Sequence, residues 1–456
     1  MNSFARACLL LSFVAILGGS AFADGPELMF PVPEFSDHPI PTASVPDVDD
    51  EVAAVLDVAI LLVALCLASY FTLVSRSRRS LLLLTIACLI WFGFWRQGCV
   101  CPIGATQNVA LAIFDPTYVI PITVVAFFIL PLVFTLFFGR TFCAAVCPLG
   151  AMQELFAIRT VAVPRWLDHS LGLVAYIYLG AAVIFAATKS AFIICRYDPF
   201  IPFFRLGGNT DMLIFGSCVL VIGVFVGRPY CRYLCPYGAI LRVLSCLSKW
   251  HLSIPPDTCV NCQLCEDVCP YGAIHPPTTA QTADSRQKGK RQFAISLVAA
   301  PFIVAVFLGL GFTLAVPLSQ WHSESRVAEQ VRLEETGLAN GETTDASDAF
   351  RGTGRSVDDL YASAIKRRTE FVSLGALLGA WTGLVIAIKL VYISSRRRRN
   401  DYQADRAGCV SCGRCYWYCP VEKVRLGLIA DVSEALPDGT PAASELVQLT
   451  VGDKSS

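Results

Sequence analysis

Seven runs of apolar residues constrain this chain most, because each approaches the roughly 20 residues that a helix needs to cross a lipid bilayer. They lie at about 52–74, 80–95, 117–138, 171–188, 212–227, 293–317 and 371–393. The chain is 55% hydrophobic and 16% charged, which is too apolar for an ordinary soluble domain. We therefore predict a mainly α-helical, polytopic transmembrane bundle of about seven spans.

The basic residues predict how this bundle is oriented. Arginine-rich clusters occur at 76–79, 159–165, 286–291 and 396–399, and all fall on one side when the spans alternate. The positive-inside rule makes that side the cytoplasm, so we expect a multi-pass protein of the bacterial inner membrane with a cytoplasmic C-terminus. Lys+Arg and Asp+Glu are equal at 36 each, so charge gives no indication of a nucleic-acid partner.

Three segments outside the bundle are interpreted from composition. Residues 1–23 resemble a cleaved signal peptide, with a short apolar run that ends at Ala21-Phe22-Ala23, although an uncleaved first helix is the alternative. Residues 24–51 are expected to form an irregular outer lead. Residues 318–370 are rich in Glu, Asp, Thr and Gly and are expected to be a mobile or partner-facing outer loop rather than a folded domain.

Two cysteine motifs share the spacing Cys-x2-Cys-x2-Cys-x3-Cys-Pro. Three thiolates two residues apart can hold one face of a [4Fe-4S] cube, and in two-cluster ferredoxins the fourth cysteine ligates the other cluster. The first predicted cluster set is Cys259, Cys262, Cys265 and Cys419. The second predicted set is Cys409, Cys412, Cys415 and Cys269. Zinc is the alternative metal, but zinc sites rarely place all four ligands in one loop.

The two motifs belong to separated segments, at 251–285 and 400–456, with the spans 293–317 and 371–393 between them. An even number of crossings returns the chain to the same face of the membrane. We therefore predict a small α+β, two-cluster ferredoxin-like domain in the cytoplasm, built from two halves and attached to the transmembrane domain at 52–250.

An internal repeat, Gly-Arg-x-[Phe/Tyr]-Cys-x3-Cys-Pro-x-Gly-Ala, contains Cys143 and Cys147 in one copy and Cys231 and Cys235 in the other. Two spans separate the copies, so their thiols share the cytoplasmic side. A four-residue spacing places both sulfurs of a pair on one side of a helical turn. Three interpretations remain open: a further metal or cluster site, a redox-active or structural disulfide, or cysteines that pack at a close helix approach.

A degenerate third copy contains Cys99 and Cys101 and is expected at the outer face, together with Cys195. These three thiols could bind a metal, but the oxidising outer compartment favours a disulfide between any pair within reach.

Other redox and nucleotide chemistry lacks its sequence signals. None of the five histidines lies well inside a predicted span, and the chain has no Cys-x-x-Cys-His and no Walker loop, so neither haem nor a nucleotide is expected. Iron–sulfur clusters carry single electrons, which favours an electron-transfer subunit over a complete enzyme.

From about residue 91 to 421 the chain resembles the polytopic iron–sulfur proteins related to NosR and NapH, with CcoG-type proteins as cousins. The resemblance implies electron transfer between the quinone pool or cytoplasmic donors and a periplasmic acceptor, with the eight motif cysteines as cluster ligands. The Ser-Gly-Ala-Thr flavin motif of NosR-like proteins is absent, so no covalent FMN is expected and a separate flavin- or metal-containing partner is implied. A CcoG-like metal (copper) reductase for respiratory enzyme assembly is the alternative, and a sensory role is a third.

Overall fold

The computed structural model describes residues 51–98, 101–158, 160–161, 163–188, 192–254, 259–278, 283–320, 323–337, 343–395, 399 and 401–435. The predicted signal peptide, nearly all of the outer lead, Cys99 and the tail beyond 435 lie outside these residues. The chain divides into two compact units. We call Asp49–Gly289 with Ser395–Ser456 the larger unit, and the smaller unit contains Lys290–Ser394.

The larger unit is predominantly helical. Its helices before the first four-cysteine motif are α1 Glu51–Leu73, α2 Arg78–Cys88, α3 Pro102–Phe114, α4 Ile122–Phe138, α5 Pro148–Phe156, α6 Arg165–Ala187, α7 Ile193–Arg196, α8 Ile201–Arg205, α9 Thr210–Phe225, α10 Pro229–Tyr233 and α11 Pro236–Ser245. Two π-helical segments, Leu89–Trp95 and Phe142–Val146, interrupt this series. The rest of the chain, which includes the smaller unit, contains α12 Leu264–Asp267, β1 Ile274–His275, α13 Ala283–Ser319, α14 Ser323–Glu335, α15 Asp345–Gly352, α16 Val357–Ser394, β2 Gln403–Ala404, α17 Arg414–Tyr418, α18 Pro420–Arg425 and a 3-10 turn Val432–Ala435. Helices α14, α15 and α16 lie in the smaller unit.

Among the described residues, five helical stretches are long and apolar enough to cross a membrane. These are Val52–Leu73, Arg78–Trp95, Arg165–Ala187, Gln287–Pro317 and Val357–Ser394. The apolar helices α4 and α9 are shorter, at 17 and 16 residues. The structure thus confirms a mainly helical protein with membrane-type helices, whereas the total of seven crossings stays a prediction.

Four helices of the larger unit begin at the proline of a Cys-Pro step, and the last of them is α18, which follows Cys419. Cys101, Cys147 and Cys235 are the extended N-cap residues of α3, α5 and α11, and proline occupies the first turn of each helix. Proline suits this position because its fixed φ fits a helix and its missing N–H would have no partner there. The Tyr237 hydroxyl, in the first turn of α11, donates to Phe128 O at 2.8 Å and anchors this helix to α4.

In the smaller unit, α13 and α16 pack through a Gly-x3-Gly-x3-Gly stripe at Gly375, Gly379 and Gly383. A Cβ on Gly379 would collide with Phe307 O, and one on Gly383 would lie 2.8 Å from Val304 Cα. Small residues let membrane helices approach closely enough for extensive van der Waals contact. Hence this stripe sets the separation of the two helices.

We expect Gly379→Val to separate α13 from α16 and to destabilise the protein by about 1–3 kcal/mol, the usual effect of overpacking. The measurement is the thermal unfolding midpoint in detergent. Gly309→Val, on α13, is the matched control because a Cβ at Gly309 meets open space. Equal midpoints for the two variants would contradict a glycine-dependent contact.

The expected irregular loop at 318–370 is instead mostly helical in its described parts. It contains α14 and α15, and α16 begins at Val357 rather than near 371. Thr344 and Ser347 form a reciprocal capping box at the start of α15. A small apolar core forms between these helices from Ala328, Val331, Phe350 and Leu360. The acidic composition obscured this apolar spacing, and the outer, partner-facing role of the segment stays a prediction.

Candidate metal centres

The two four-cysteine loops have matching backbones. In the first motif the second cysteine lies between Asn261 and Gln263, and in the second motif it lies between Ser411 and Gly413. All four flanking residues have positive φ, between 51° and 70°. Alternating right- and left-handed residues turn successive N–H groups inward, which makes the anion-binding nests found at many iron–sulfur sites. The loops therefore suit a negatively charged, sulfur-rich group.

Main-chain pairing joins the two loops despite their separation in sequence. Strands β1 and β2 are antiparallel, with Ile274 opposite Ala404 and His275 opposite Gln403. Helices α12 and α17, one from each motif, also pack together. The two separated segments thus form one structural element at the surface of the larger unit.

Two cavities lie between these segments, and each contains cysteines of both motifs. One cavity is lined by Cys259, Cys262 and Cys265 of the first motif together with Cys419 of the second. The other is lined by Cys409, Cys412 and Cys415 of the second motif together with Cys269 of the first. Cys415 lines both cavities, so they are adjacent.

The donor sets fit iron–sulfur clusters. One cavity is lined by four thiols and the other by five, because Cys415 lines both. Backbone N–H groups point at sulfurs, with Ala273 N 3.4 Å from Cys269 Sγ and Ser411 N 3.4 Å from Cys409 Sγ. Burial raises the pKa of the Cys409 and Cys265 thiols to about 12. Thiolates here would therefore need a bound cation. Among the described side chains, no three Cys, His, Asp or Glu residues are grouped for a single metal ion.

The four repeat cysteines, Cys143, Cys147, Cys231 and Cys235, form a second group, which we call the quartet. Cys147 interacts electrostatically with the other three. Three sulfurs accept hydrogen bonds: from the Arg140 guanidinium to Cys143 at 3.7 Å, from Gln153 Nε2 to Cys231 at 3.3 Å, and from Gly238 N to Cys235 at 3.2 Å. No disulfide joins the quartet in the structure.

The buried carboxylate of Glu154, on α5, connects the quartet to the second cysteine motif. It accepts from Arg228 at 3.0 Å, from Arg78 at 2.8 Å and from Arg414 at 2.9 Å. Burial alone would raise the pKa of Glu154, but these three guanidinium groups lower it to about 2. Arg228 is 1% exposed and also donates to Cys143 O and Ala144 O.

Further polar contacts attach the cysteine loops to the helices. Arg140 donates to Ala407 O at 3.3 Å, Arg232 to Pro270 O at 2.8 Å, and Ser245 Oγ to Arg406 O at 2.6 Å. Sequence reasoning missed these residues and Glu154. A Gly-Arg pair occurs in both copies of the repeat, with Arg140 in one and Arg228 in the other. This shared pair was the sequence signal that could have identified the two arginines.

Two of the three predicted outer cysteines are described. Cys101 is half-buried, whereas Cys195 is exposed and lies beside α3, because a Cβ on Gly104 would be 3.2 Å from Cys195 Sγ. Cys101 interacts electrostatically with Asp198 and Cys195, and also with Cys147 of the quartet. These two cysteine groups, predicted on opposite faces of the membrane, therefore lie near each other in the structure.

Comparison with known proteins agrees with this chemistry. A family described as "4Fe-4S binding domain" matches residues 120–166 and 209–255, which contain the quartet, and another of that description matches 252–275. With the membrane-type helices, these matches define a membrane iron–sulfur protein. No solved structure matches.

Three relatives are informative. The chain is 37% identical to NirI of Paracoccus denitrificans over 155 residues, 31% of this chain and 23% of NirI. It is 32% identical over 156 residues to YccM of Escherichia coli, named for electron transport, covering 30% of this chain and 43% of YccM. It is 29% identical over 241 residues to the regulatory protein NosR of Stutzerimonas stutzeri, covering 48% of this chain and 32% of NosR. The chain thus spans less than half the length of these relatives. Its similarity to NirI and NosR agrees with the expected resemblance to NosR/NapH-like membrane iron–sulfur proteins.

Proposed function

We propose that this chain is an electron-transfer subunit of the bacterial inner membrane, with two [4Fe-4S] clusters in a ferredoxin-like cytoplasmic domain and a further iron–sulfur centre on the quartet. One observation carries the proposal. Each of two adjacent cavities is lined by the first three cysteines of one motif and by the last cysteine of the other, and Cys415 lies at the boundary and lines both cavities. This is the exchange of fourth ligands expected for a two-cluster ferredoxin.

Bound iron–sulfur clusters supply one-electron transfer and carry no hydride. The surrounding residues would bind and tune them. Backbone N–H groups and the Arg140 guanidinium point at cysteine sulfurs, and such hydrogen bonds favour added negative charge. Apolar side chains such as Leu252 and Ile274 line one cavity and would exclude water.

The route between the sites is the second part of the proposal. Arg140 contacts both Ala407 O, beside the second motif, and Cys143 Sγ, in the quartet. This contact supports electron exchange between the ferredoxin-like domain and the quartet. The arginine clusters favour a cytoplasmic position for that domain. Electrons would come from the quinone pool or a cytoplasmic donor and leave to a periplasmic flavin- or metal-containing partner.

The test is iron and acid-labile sulfide per chain in protein purified anaerobically. We expect more than about eight irons in the parent, since two [4Fe-4S] clusters account for about eight. Changing Cys143, Cys147, Cys231 and Cys235 together to serine is expected to remove up to about four irons and to leave the ferredoxin signals in place.

Cys66→Ser with Cys218→Ser is the control, because both thiols are exposed on helices away from every cysteine group. About eight irons in both the parent and the quartet variant would confine iron to the ferredoxin-like domain and reject the quartet centre. A folded, colourless and iron-free parent would reject the whole proposal.

A further inference from the structure

A second, altered copy of the quartet environment lies beside α3. The residues Cys101-Pro-Ile-Gly-Ala-Thr-Gln107 at the start of α3 correspond to Cys147-Pro-Leu-Gly-Ala-Met-Gln153 at the start of α5. Likewise Cys195-Arg-Tyr-Asp198-Pro corresponds to Cys231-Arg-Tyr-Leu-Cys235-Pro, with one residue fewer and Asp198 in the place of Cys235. Cys101, Cys195 and Asp198 lie outside the stretches that the 4Fe-4S families match.

The tertiary contacts repeat as well. Gln153 Oε1 accepts from Tyr230 N at 3.0 Å, just before Cys231, and Gln107 Oε1 accepts from Ile194 N at 2.8 Å, just before Cys195. Both glutamine side chains are fully buried. Each therefore fixes a cysteine-bearing segment against a Cys-Pro helix in the same way.

One difference between the copies points to a ligand. Gln153 Nε2 donates to Cys231 Sγ at 3.3 Å, whereas Gln107 Nε2 is buried and has no acceptor among the described residues. An unsatisfied buried amide N–H costs about 1–3 kcal/mol, so such groups normally have a partner. Gln107 Nε2 belongs to the same amide group whose oxygen accepts from Ile194 N, so it lies near the Ile194–Cys195 segment.

The remaining groups have the character of metal ligands. Cys101 sulfur accepts hydrogen bonds from Ile103 N and Gly104 N at the start of α3 and interacts electrostatically with Asp198 and Cys195. Asp198 is 7% exposed, and its Oδ1 accepts from Phe200 N at 2.8 Å, which fixes its position. Gly104 lets the α3 backbone approach Cys195 Sγ, because a Cβ there would lie only 3.2 Å from the sulfur.

We propose that Cys101, Cys195 and Asp198 hold an additional iron–sulfur centre, with the Gln107 amide donating to one of its sulfurs. Thiolates select iron–sulfur clusters and other soft metals, and N–H donors to sulfur are the usual means of tuning a cluster. Cys147 lies within electrostatic range of Cys101, so the new centre would neighbour the quartet.

The test compares iron and sulfide per chain in the full-length parent, Cys195→Ser and Asp198→Asn, purified anaerobically. Asparagine keeps the oxygen that accepts from Phe200 N and removes the charged ligand, so this variant should fold. Both variants are expected to lose the same iron complement and the same EPR signal. The EPR signals of the two clusters assigned to the eight motif cysteines should be retained. Failure of this proposal can therefore be distinguished from failure of the proposed function. Cys218→Ser is the control, since this exposed thiol belongs to no cysteine group.

A second measurement concerns Gln107. Gln107→Met is expected to retain the iron and to lower the reduction potential of this one centre, because an N–H···S hydrogen bond stabilises the more negative reduced form. Unchanged iron, sulfide and EPR spectra in folded Cys195→Ser and Asp198→Asn would overturn the proposal. So would zinc in place of iron, or a Cys101–Cys195 disulfide detected by alkylation and mass spectrometry of the parent.

Discussion

Alanine substitutions at Cys259 and Cys419 are expected to remove the same cluster, although 160 positions separate these residues in the chain. Each single variant should lose about four irons, and the double variant should lose no more than either single one. In contrast, Cys259→Ala combined with Cys269→Ala should lose about eight irons, although both residues belong to one motif. The reason is that Cys419 lines the cavity of Cys259, whereas Cys269 lines the other.

The measurement is iron per chain in these four variants and in Cys269→Ala, with EPR to count the remaining clusters. Cys246→Ala is the control, since this thiol is exposed near the end of α11. If the Cys259 and Cys269 variants lost a common cluster and Cys419→Ala lost another, each motif would hold its own cluster and the exchange of fourth ligands would be rejected.

Glu154→Gln is expected to destabilise the protein by about 3–5 kcal/mol, the usual result of removing one partner from a buried ion pair. The substitution preserves size and one acceptor oxygen but removes the charge that faces Arg228, Arg78 and Arg414. Arg228 would then stay buried without a facing carboxylate, although the carbonyl groups of Cys143 and Ala144 would still accept from it. The measurement is the unfolding transition in detergent, followed by circular dichroism.

The control is Glu329→Gln, which removes an exposed carboxylate paired with Arg332 three residues later on α14. Exposed pairs of this kind contribute about 1 kcal/mol or less. Because Arg414 lies in the second cysteine motif, Glu154→Gln should also weaken the attachment of that loop and accelerate iron loss during unfolding. A Glu154→Gln protein as stable as the Glu329→Gln protein would contradict a structural role for this buried carboxylate.

The larger features of the molecule could be predicted from the chain itself. Apolar runs near the bilayer thickness specified membrane helices, because the length of such a helix depends on local hydropathy alone. Cysteine spacing specified the candidate ligands, because three thiols two residues apart in one loop already match a cluster face. The Gly-Arg and Cys-Pro repeat was also visible. Composition was a poorer guide at 318–370, where apolar side chains among many acidic ones form a small core.

Contacts between residues far apart in sequence became visible in the tertiary structure alone. The pairing of β1 with β2, the meeting of Glu154 with three arginines from three segments, and the matched roles of Gln153 and Gln107 have no local signal. A buried glutamine or glutamate in an apolar helix has the same sequence context whatever it faces. Its partner is fixed by chain packing, because burial requires each polar group to find a hydrogen bond wherever the fold provides one. Local patterns along the chain therefore predict the membrane helices and the candidate ligand types, and the packing determines which of these residues meet.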